Sequence, residues 1–463
     1  MKVEQMQARV FALSLFALAI MTGQSATAEQ VAPQAKPANA KICLNCHKAE
    51  TSNLRGHWES VAMKSSSIQL KIDDRSEVIR FDKAKLQVLN ATEKGDVEKM
   101  LRSIKKGHEV RIEFAEKDGA KFASVVSAKP AVKLAAEDKI ALADMEKLVT
   151  LGPGKGKYTL IDSRPAPKFK EGAIPTAISL PYPEFDKFVD RLPADKNSLV
   201  IFYCSGVTCN MSPGSQKKAK ALGYTNIKVF VEGMPAWLGR NYGVLAPQSL
   251  KDAYKDVPFV LLDARTADAA GKGFIKGAVA FASADEKSLE SLPKKEMKAP
   301  VIIYDEDGKG NAPKVASGII KAGYTNVMIL NGGLAGWRQA KLPVETGKLA
   351  TSITYVPKPK PGEIPMEAFI KLIAAIPADT VLLDVRNSEE LQDGTIKGSL
   401  NIPADQIEQR FAELPKEKRV IAFCPTGTRA EMVYHTLKAK GLTNVFFLNA
   451  KVDYDDGKPE ITK

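Results

Sequence analysis

Cysteine and histidine are scarce in this chain, with five Cys and four His among 463 residues. So few ligands exclude a multi-metal cage and a dense disulfide scaffold. Past Met21 there is no apolar run long enough for a bilayer core of about 30 Å, so no stable membrane span is expected. Arginine-rich or aromatic-interleaved basic stripes are also missing, although Lys+Arg number 67 against Asp+Glu 54 and the formal net charge is +13. Nucleic acid is therefore not an expected partner. The scattered lysines read either as a weak field for small anions or an acidic partner, or as solubilising charge. Hydrophobic residues, by contrast, make up 44% of the chain and charged ones 26%, which excludes a wholly disordered protein. At about 100–200 residues per domain, the length predicts two to four domains.

Residues 1–28 read as an export signal. Lys2 and Arg9 precede an apolar run of 12 residues, Val10 to Met21, and Ser25-Ala-Thr-Ala28 supplies a small-residue cleavage site. The run is too short to span, which leaves an uncleaved anchor as the lesser alternative. A periplasmic or otherwise exported location is expected. Residues 29–59 form a flexible lead carrying Cys43-Leu-Asn-Cys46-His47. In an exported chain this spacing is the attachment signature of haem c, with two thioethers and His47 on the iron. The alternative is a Cys43–Cys46 redox pair or disulfide. His57 is the preferred second metal ligand, over His108, Met63 and Met100; a closed zinc site would fit poorly. His108 and His435 read as surface residues.

From 60 to 130 the pattern changes. Ile68, Leu70 and Ile72 alternate, as do Val110, Ile112 and Phe114, and Glu116-Lys-Asp-Gly119 reads as a hairpin turn. A small β domain is expected there.

The remainder repeats itself. Leu160-Ile-Asp-Ser-Arg164, Leu261-Leu-Asp-Ala-Arg265 and Leu382-Leu-Asp-Val-Arg386 are one phrase three times, each with a glycine ten residues after its Asp: Gly172, Gly273 and Gly394. Each copy later has an apolar run, Leu199–Tyr203, Val301–Tyr304 and Val420–Phe423, then a helical stretch closing at Gly223, Gly323 or Gly441. Gly233-Met-Pro-Ala-Trp237 and Gly333-Leu-Ala-Gly-Trp337 end the first two copies; the third ends differently, in Leu448–Tyr454. Short apolar strands alternating with helices imply a parallel sheet with helices on both faces. These phrases, in this order, resemble rhodanese-type sulfurtransferase domains. The resemblance implies three tandem doubly wound α/β units after the β-rich domain: 140–246, 247–348 and, beyond a Pro/Lys-rich linker at 349–362, 363–455.

In open parallel sheets, ligands sit beyond the strands' carboxyl ends, where helix N-termini point in. The third copy has Cys424-Pro-Thr-Gly427-Thr428-Arg429 at that place. A short glycine-bearing loop can aim N–H groups at one sulfur and favour its thiolate or persulfide. Cys424 is the expected nucleophile, and the resemblance implies Arg429 as the cation that orients an oxyanion such as thiosulfate. Gly427 and Thr428 are the expected substrate contacts. The first copy has Cys204-Ser-Gly206-Val-Thr208-Cys209, without an arginine, followed by Ser212-Pro213 as a helix N-cap and first turn. Gly206 and Thr208 are its expected contacts. Cys209 could attack a persulfide on Cys204, leaving a disulfide; a purely structural disulfide is the alternative. The second copy places Asp305 where the cysteine stands, so it is expected to be inactive. Asp305, Asp307 and Asn311 make only an incomplete calcium loop. Because this copy keeps Asp263 and Arg265, the Asp-x-Arg pair reads as a structural salt bridge.

The expected function is exported sulfur transfer through a cysteine persulfide. A small sulfur-containing anion would be the donor, and a thiol or redox protein the acceptor. The alternatives are a haem-bearing redox protein of sulfur, selenium or tellurium oxyanion reduction, and an interaction scaffold built on rhodanese units.

Overall fold

Side chains alternate along a strand, and Ile68, Leu70 and Ile72 are fully buried on one face of β2 (Ser67–Ile72). The computed structural model describes residues 52–462 apart from Asp74 and Asp118. The expected signal segment and Cys43, Cys46 and His47 lie outside the described residues. β1 (Asn53–Ala62), β2 and β3 (Arg75–Phe81) form an antiparallel meander, followed by β4 (Gln87–Leu89). β5 (Glu109–Lys117) and β6 (Ala120–Ala128) form the expected hairpin, paired down to Lys117 and Ala120. The sheet order is β3-β2-β1-β5-β6-β4, and β3 also pairs with β6, which closes the sheet into a barrel.

The barrel begins at Asn53, not at residue 60. Leu54 and Trp58 line its core, but a bulge between Trp58 and Ser60 shifts the register and breaks the alternation that would betray the strand. His57 thus belongs to a paired strand rather than to a flexible lead. His108 is half-buried, and its Nε2 lies 2.9 Å from the Lys129 carbonyl oxygen, so it is not a free surface group.

Each repeat builds a parallel sheet. The first holds β7 (Tyr158–Asp162), β8 (Ile178–Ser179), β9 (Leu199–Tyr203) and β10 (Ile227–Phe230), in the order β10-β9-β7-β8. The second holds β11 (Gly243–Leu245), β12 (Val260–Asp263), β13 (Val279–Ala280), β14 (Val301–Tyr304) and β15 (Val327–Leu330), ordered β11-β15-β14-β12-β13. The third holds β16 (Glu363–Ile364), β17 (Thr380–Asp384), β18 (Leu400–Asn401), β19 (Arg419–Phe423) and β20 (Val445–Leu448), ordered β16-β20-β19-β17-β18. Their strands read as unbroken apolar runs because both faces are covered. On β9, Ile201 and Tyr203 enter one core while Val200 and Phe202 enter the other. β14 divides likewise, with Ile302 and Tyr304 opposite Val301 and Ile303.

The structure moves two expected boundaries. β11 lies before residue 247, yet pairs with β15 and so belongs to the second sheet. The 349–362 segment is a free linker only in part: Ala350 bridges Val279, and Ile353 and Tyr355 pack on the second unit's core. In the third unit, a hairpin of β21 (Lys451–Asp455) and β22 (Lys458–Thr462) stands where the first two units place the helices Gly233–Leu238 and Gly333–Gln339. Among the described residues, no helix is long and apolar enough to cross a membrane.

Candidate active-site loops

The repeated Asp-x-Arg phrase closes on itself in the same way three times. Asp162, Asp263 and Asp384 are fully buried. Arg164 donates to Asp162 at 2.6 Å and to the Gly172 carbonyl at 2.5 Å. Arg265 does the same with Asp263 and Gly273 at 2.7 and 2.6 Å, and Arg386 with Asp384 and Gly394 at 2.7 and 2.8 Å. The arginine therefore ties the strand end to the glycine ten residues beyond the Asp. This geometry is equally present in the unit without a cysteine, so the motif is a brace.

The three loops leave the carboxyl ends of β9, β14 and β19. Cys204 and Cys424 are each 1% exposed, and Cys204, Cys209 and Cys424 are free thiols. In the first two units, the residue packed against the loop must be glycine. A Cβ on Gly233 (φ +55°) would collide with the Cys204 carbonyl oxygen, and one on Gly333 (φ +55°) would lie 2.5 Å from that of Asp305. The hairpin takes over this contact in the third unit, where Val452 N–H donates to the Pro425 carbonyl at 3.1 Å.

Arg429 stands in the first turn of the helix Thr428–Ala439, after Gly427 at φ +76°. Its two terminal nitrogens donate to Glu390 at 2.6 and 2.9 Å, so the fork expected to face an anion is held by a carboxylate. Lys64, in the helical turn Met63–Ser65 that follows β1 on the barrel, donates to the same carboxylate at 2.8 Å, and the Asn387 N–H at 3.1 Å. Burial opposes charge on Glu390, but these donors, Arg429 foremost, hold its carboxyl down at about 2. Burial likewise works against Arg429, yet Glu390 and the nearby Cys424 and Asp384 leave it more firmly protonated than a free guanidinium. Glu390 and Lys64 escaped the sequence reading. The one available signal was Asn387-x-x-Glu390, the spacing of a capping box, of which the bond from Asn387 N–H to Glu390 is one half.

In the first unit, Cys204 Sγ lies 3.0 Å from Ser212 Oγ and donates to the Cys209 carbonyl at 3.4 Å. The helix starts at Met211 with Asn210 as its N-cap, so Ser212 is a buried partner of the sulfur rather than the expected cap. Burial, then the neighbouring Cys209, pushes the Cys204 thiol well up. Half-buried Cys209 is pulled below the ordinary thiol range, first by the hydrogen bond from Cys204, then, against burial, by the Ser205 and Met211 N–H groups and by Lys129. Gly206 (φ +122°) accepts from Cys209 N–H at 2.9 Å and forms the turn that brings the thiols together. Thr208 is half-buried beside it.

In the second unit, Asp305 fills its own loop. One carboxylate oxygen accepts from the N–H groups of Gly308 (2.5 Å) and Asp307 (3.2 Å), and the other from Ala312 (2.8 Å). Asn311 donates to the Ala264 and Ala282 carbonyls. The calcium-loop residues are thus committed to the backbone, and no cluster of three or more acidic, His or Cys groups fit for a metal occurs among the described residues. His435, expected on the surface, is half-buried beside Glu431, and its burial lowers its basicity.

The fold and the loops define a class: tandem parallel α/β units, each ending its central strand in a loop that feeds a helix N-terminus, two of them with a thiol at that point. The chain belongs to the rhodanese-like domain family: the family profile matches residues 146–240, 246–340 and 367–451. Among curated proteins, YqhL of Bacillus subtilis, itself uncharacterized, is 33% identical over 82 residues, 18% of this chain and 65% of that protein. A tRNA uridine(34) hydroxylase of Bdellovibrio bacteriovorus is 35% identical over 79 residues, 16% of this chain and 23% of that protein. The chain thus spans less than two thirds of the length of these relatives. Among solved structures, a thiosulfate sulfurtransferase from Pseudomonas aeruginosa is 19% identical, with 69% of this chain and 68% of that one covered and a TM-score of 0.20.

Proposed function

We propose that this protein is an exported sulfurtransferase whose third unit carries sulfane sulfur on Cys424. The reading rests on one observation above all: a free thiol at the carboxyl end of a central parallel strand, opening a short loop into the helix whose first turn carries Arg429. The thiolate attacks the outer sulfur of thiosulfate or a related anion. The S–S bond breaks, sulfite leaves with the electron pair, and Cys424 keeps a persulfide. A thiophilic acceptor, a thiol or cyanide, then takes that sulfur and regenerates the thiolate. With Cys424 only 1% exposed, the donor reaches it by displacing Glu390 from Arg429. The purified protein should form thiocyanate from thiosulfate and cyanide, and Cys424→Ser should lower the rate at least a hundredfold. Full activity after Cys424→Ser and Cys204→Ser together would refute the reading.

The second unit, its loop filled by Asp305, serves structure or docking. A haem on Cys43, Cys46 and His47 remains a second proposal, motivated by their spacing and the export signal. Of its expected distal ligands, His108 is committed to Lys129, and Met63 and Met100 pack on the barrel core, which leaves His57 on β1. A bound haem would supply one-electron exchange. One intact-mass spectrum of the exported protein checks all three: a mature start after Ala28, a covalent haem mass at 43–46, and one extra sulfur at Cys424. A chain starting at Met1 and lacking adducts would remove export and haem together.

A further inference from the structure

The loop of the first unit differs from that of the third in two linked ways. It has no arginine, and its braced Arg164 is already committed to Asp162 and Gly172. It has a second thiol instead. Cys204, at the position that corresponds to Cys424, is sealed at 1% exposure, and its sulfur acts as a donor toward the Cys209 carbonyl. Cys209 is the thiol nearer the surface, just ahead of the helix Met211–Ala221, with the Ser205 and Met211 N–H groups turned to it. The segment that leaves the barrel is pinned across this loop, Val132 N–H donating to the Val207 carbonyl at 2.7 Å, and it carries Lys129, ion-paired with Glu109 at 2.5 Å, toward the same sulfur.

We infer that the first unit is a dithiol site that reduces the sulfane sulfur of organic persulfides to sulfide, with Cys209 as the attacking thiolate and Cys204 as the resolving thiol. The assignment rests on the sulfur chemistry proposed above, but not on Cys424, and it reverses the order that the sequence suggests. Cys209 is the more accessible sulfur and sits among N–H donors that favour its anion, whereas Cys204 is sealed and itself donates to a carbonyl. The absence of a guanidinium fork suits a donor whose leaving group is a thiolate rather than an oxyanion.

The steps balance. Cys209 thiolate attacks the terminal sulfur of R–S–S–H; the S–S bond breaks, and RS⁻ leaves and takes up a proton. Cys209 now bears –S–S–H. Cys204 attacks the inner sulfur, which is Cys209 Sγ, and the outer sulfur departs as HS⁻ with the bonding pair, collecting the proton that Cys204 gave up. Two thiols become the Cys204–Cys209 disulfide, losing two electrons, and the sulfane sulfur gains them as sulfide. A dithiol reductant closes the cycle.

The test uses the full chain carrying Cys424→Ser, reduced, freed of reductant and mixed with glutathione persulfide. The expected result is one sulfide per chain and a Cys204–Cys209 disulfide, seen as the loss of two hydrogens by mass spectrometry. Adding Cys204→Ser should trap an extra sulfur on Cys209 and cut sulfide release at least tenfold. With Cys209→Ser instead, no sulfur should appear on Cys204. Sulfur loading of Cys204 at an undiminished rate in that variant would overturn the assignment, as would equally fast sulfide release from thiosulfate. A brief iodoacetamide pulse on the unsubstituted protein requires no altered fold: Cys209 should be labelled at least tenfold faster than Cys204, and the opposite order would overturn the roles. Thiosulfate-to-cyanide transfer by a chain with Cys204→Ser and Cys209→Ser reads Cys424 alone, so failure there strikes the earlier proposal and not this one.

Discussion

Asp305 and Cys424 occupy the same point of the same loop in two copies of one unit, yet they use it in opposite ways. A carboxylate has two oxygens to satisfy, and Asp305 folds its loop around them, drawing in three backbone N–H groups. Nothing is left to receive an anion from outside. Asp305 is 4% exposed, so removing its carboxylate would strand those donors away from water. Asp305→Ala should therefore destabilise the second unit by about 2–4 kcal/mol, the cost of several buried donors losing their acceptor. Asp305→Asn, which keeps one acceptor oxygen, should lose less. Hydrogen exchange of the Gly308 and Ala312 amides checks this locally; unchanged protection in the alanine variant would show that the carboxylate merely fills space.

At the scale of elements, the helix Thr428–Ala439 is the unusual one. Ala430, Val433 and Leu437 face its own sheet, while Glu431 accepts from Gln69 of the barrel at 3.5 Å and from Lys360 at 2.6 Å. Arg80 of β3 lies 3.9 Å from Glu408, and Lys64 reaches Glu390. The barrel thus rests on the helix that starts the third unit's site, and the shared carboxylate of Glu390 joins both to Arg429. Its acidity sets a pH window. The folded value, about 2, lies below the ordinary carboxylate value, so the stabilisation is fully present above about 4.5 and lost as pH falls toward 2. Discounted for solvent screening of this partly exposed group, the linkage amounts to about 1–2 kcal/mol. Acid titration should release the barrel–helix contact in that window, followed by amide exchange in β1 and in residues 428–439, and Glu390→Gln should remove the acid-dependent part. A titration that is the same with Gln at 390 would show that other carboxylates carry the acid sensitivity.

For the molecule as a whole, what the sequence made legible was what repeats or runs unbroken. The three Asp-x-Arg braces and the apolar central strands announced the parallel sheets because short-range spacing encodes them. Cys424 and Asp305 could be aligned for the same reason. Three kinds of feature stayed hidden. The bulge in β1 breaks the two-residue period. Lys64 meets Glu390 across 326 residues, a distance that local pattern does not record. β11 sits just ahead of the boundary that the repeat phrases suggest, because a three-residue strand has too little sequence to declare its sheet. That last error makes a prediction. β11 pairs with β15 at Gly243, Val244 and Leu245, and Leu245 is 1% exposed in the second unit's core. A fragment of residues 247–348 would lack Leu245, worth about 2 kcal/mol of burial, and would bare the edge of β15 to pairing with other chains. A fragment of 240–348 would keep both. The longer piece should melt several degrees higher, as about 2 kcal/mol implies for a domain of this size, and should elute as a monomer where the shorter one associates. Equal melting temperatures and equal elution would mean that β11 adds nothing to the second sheet's stability, and that the unit is complete from residue 247 onward.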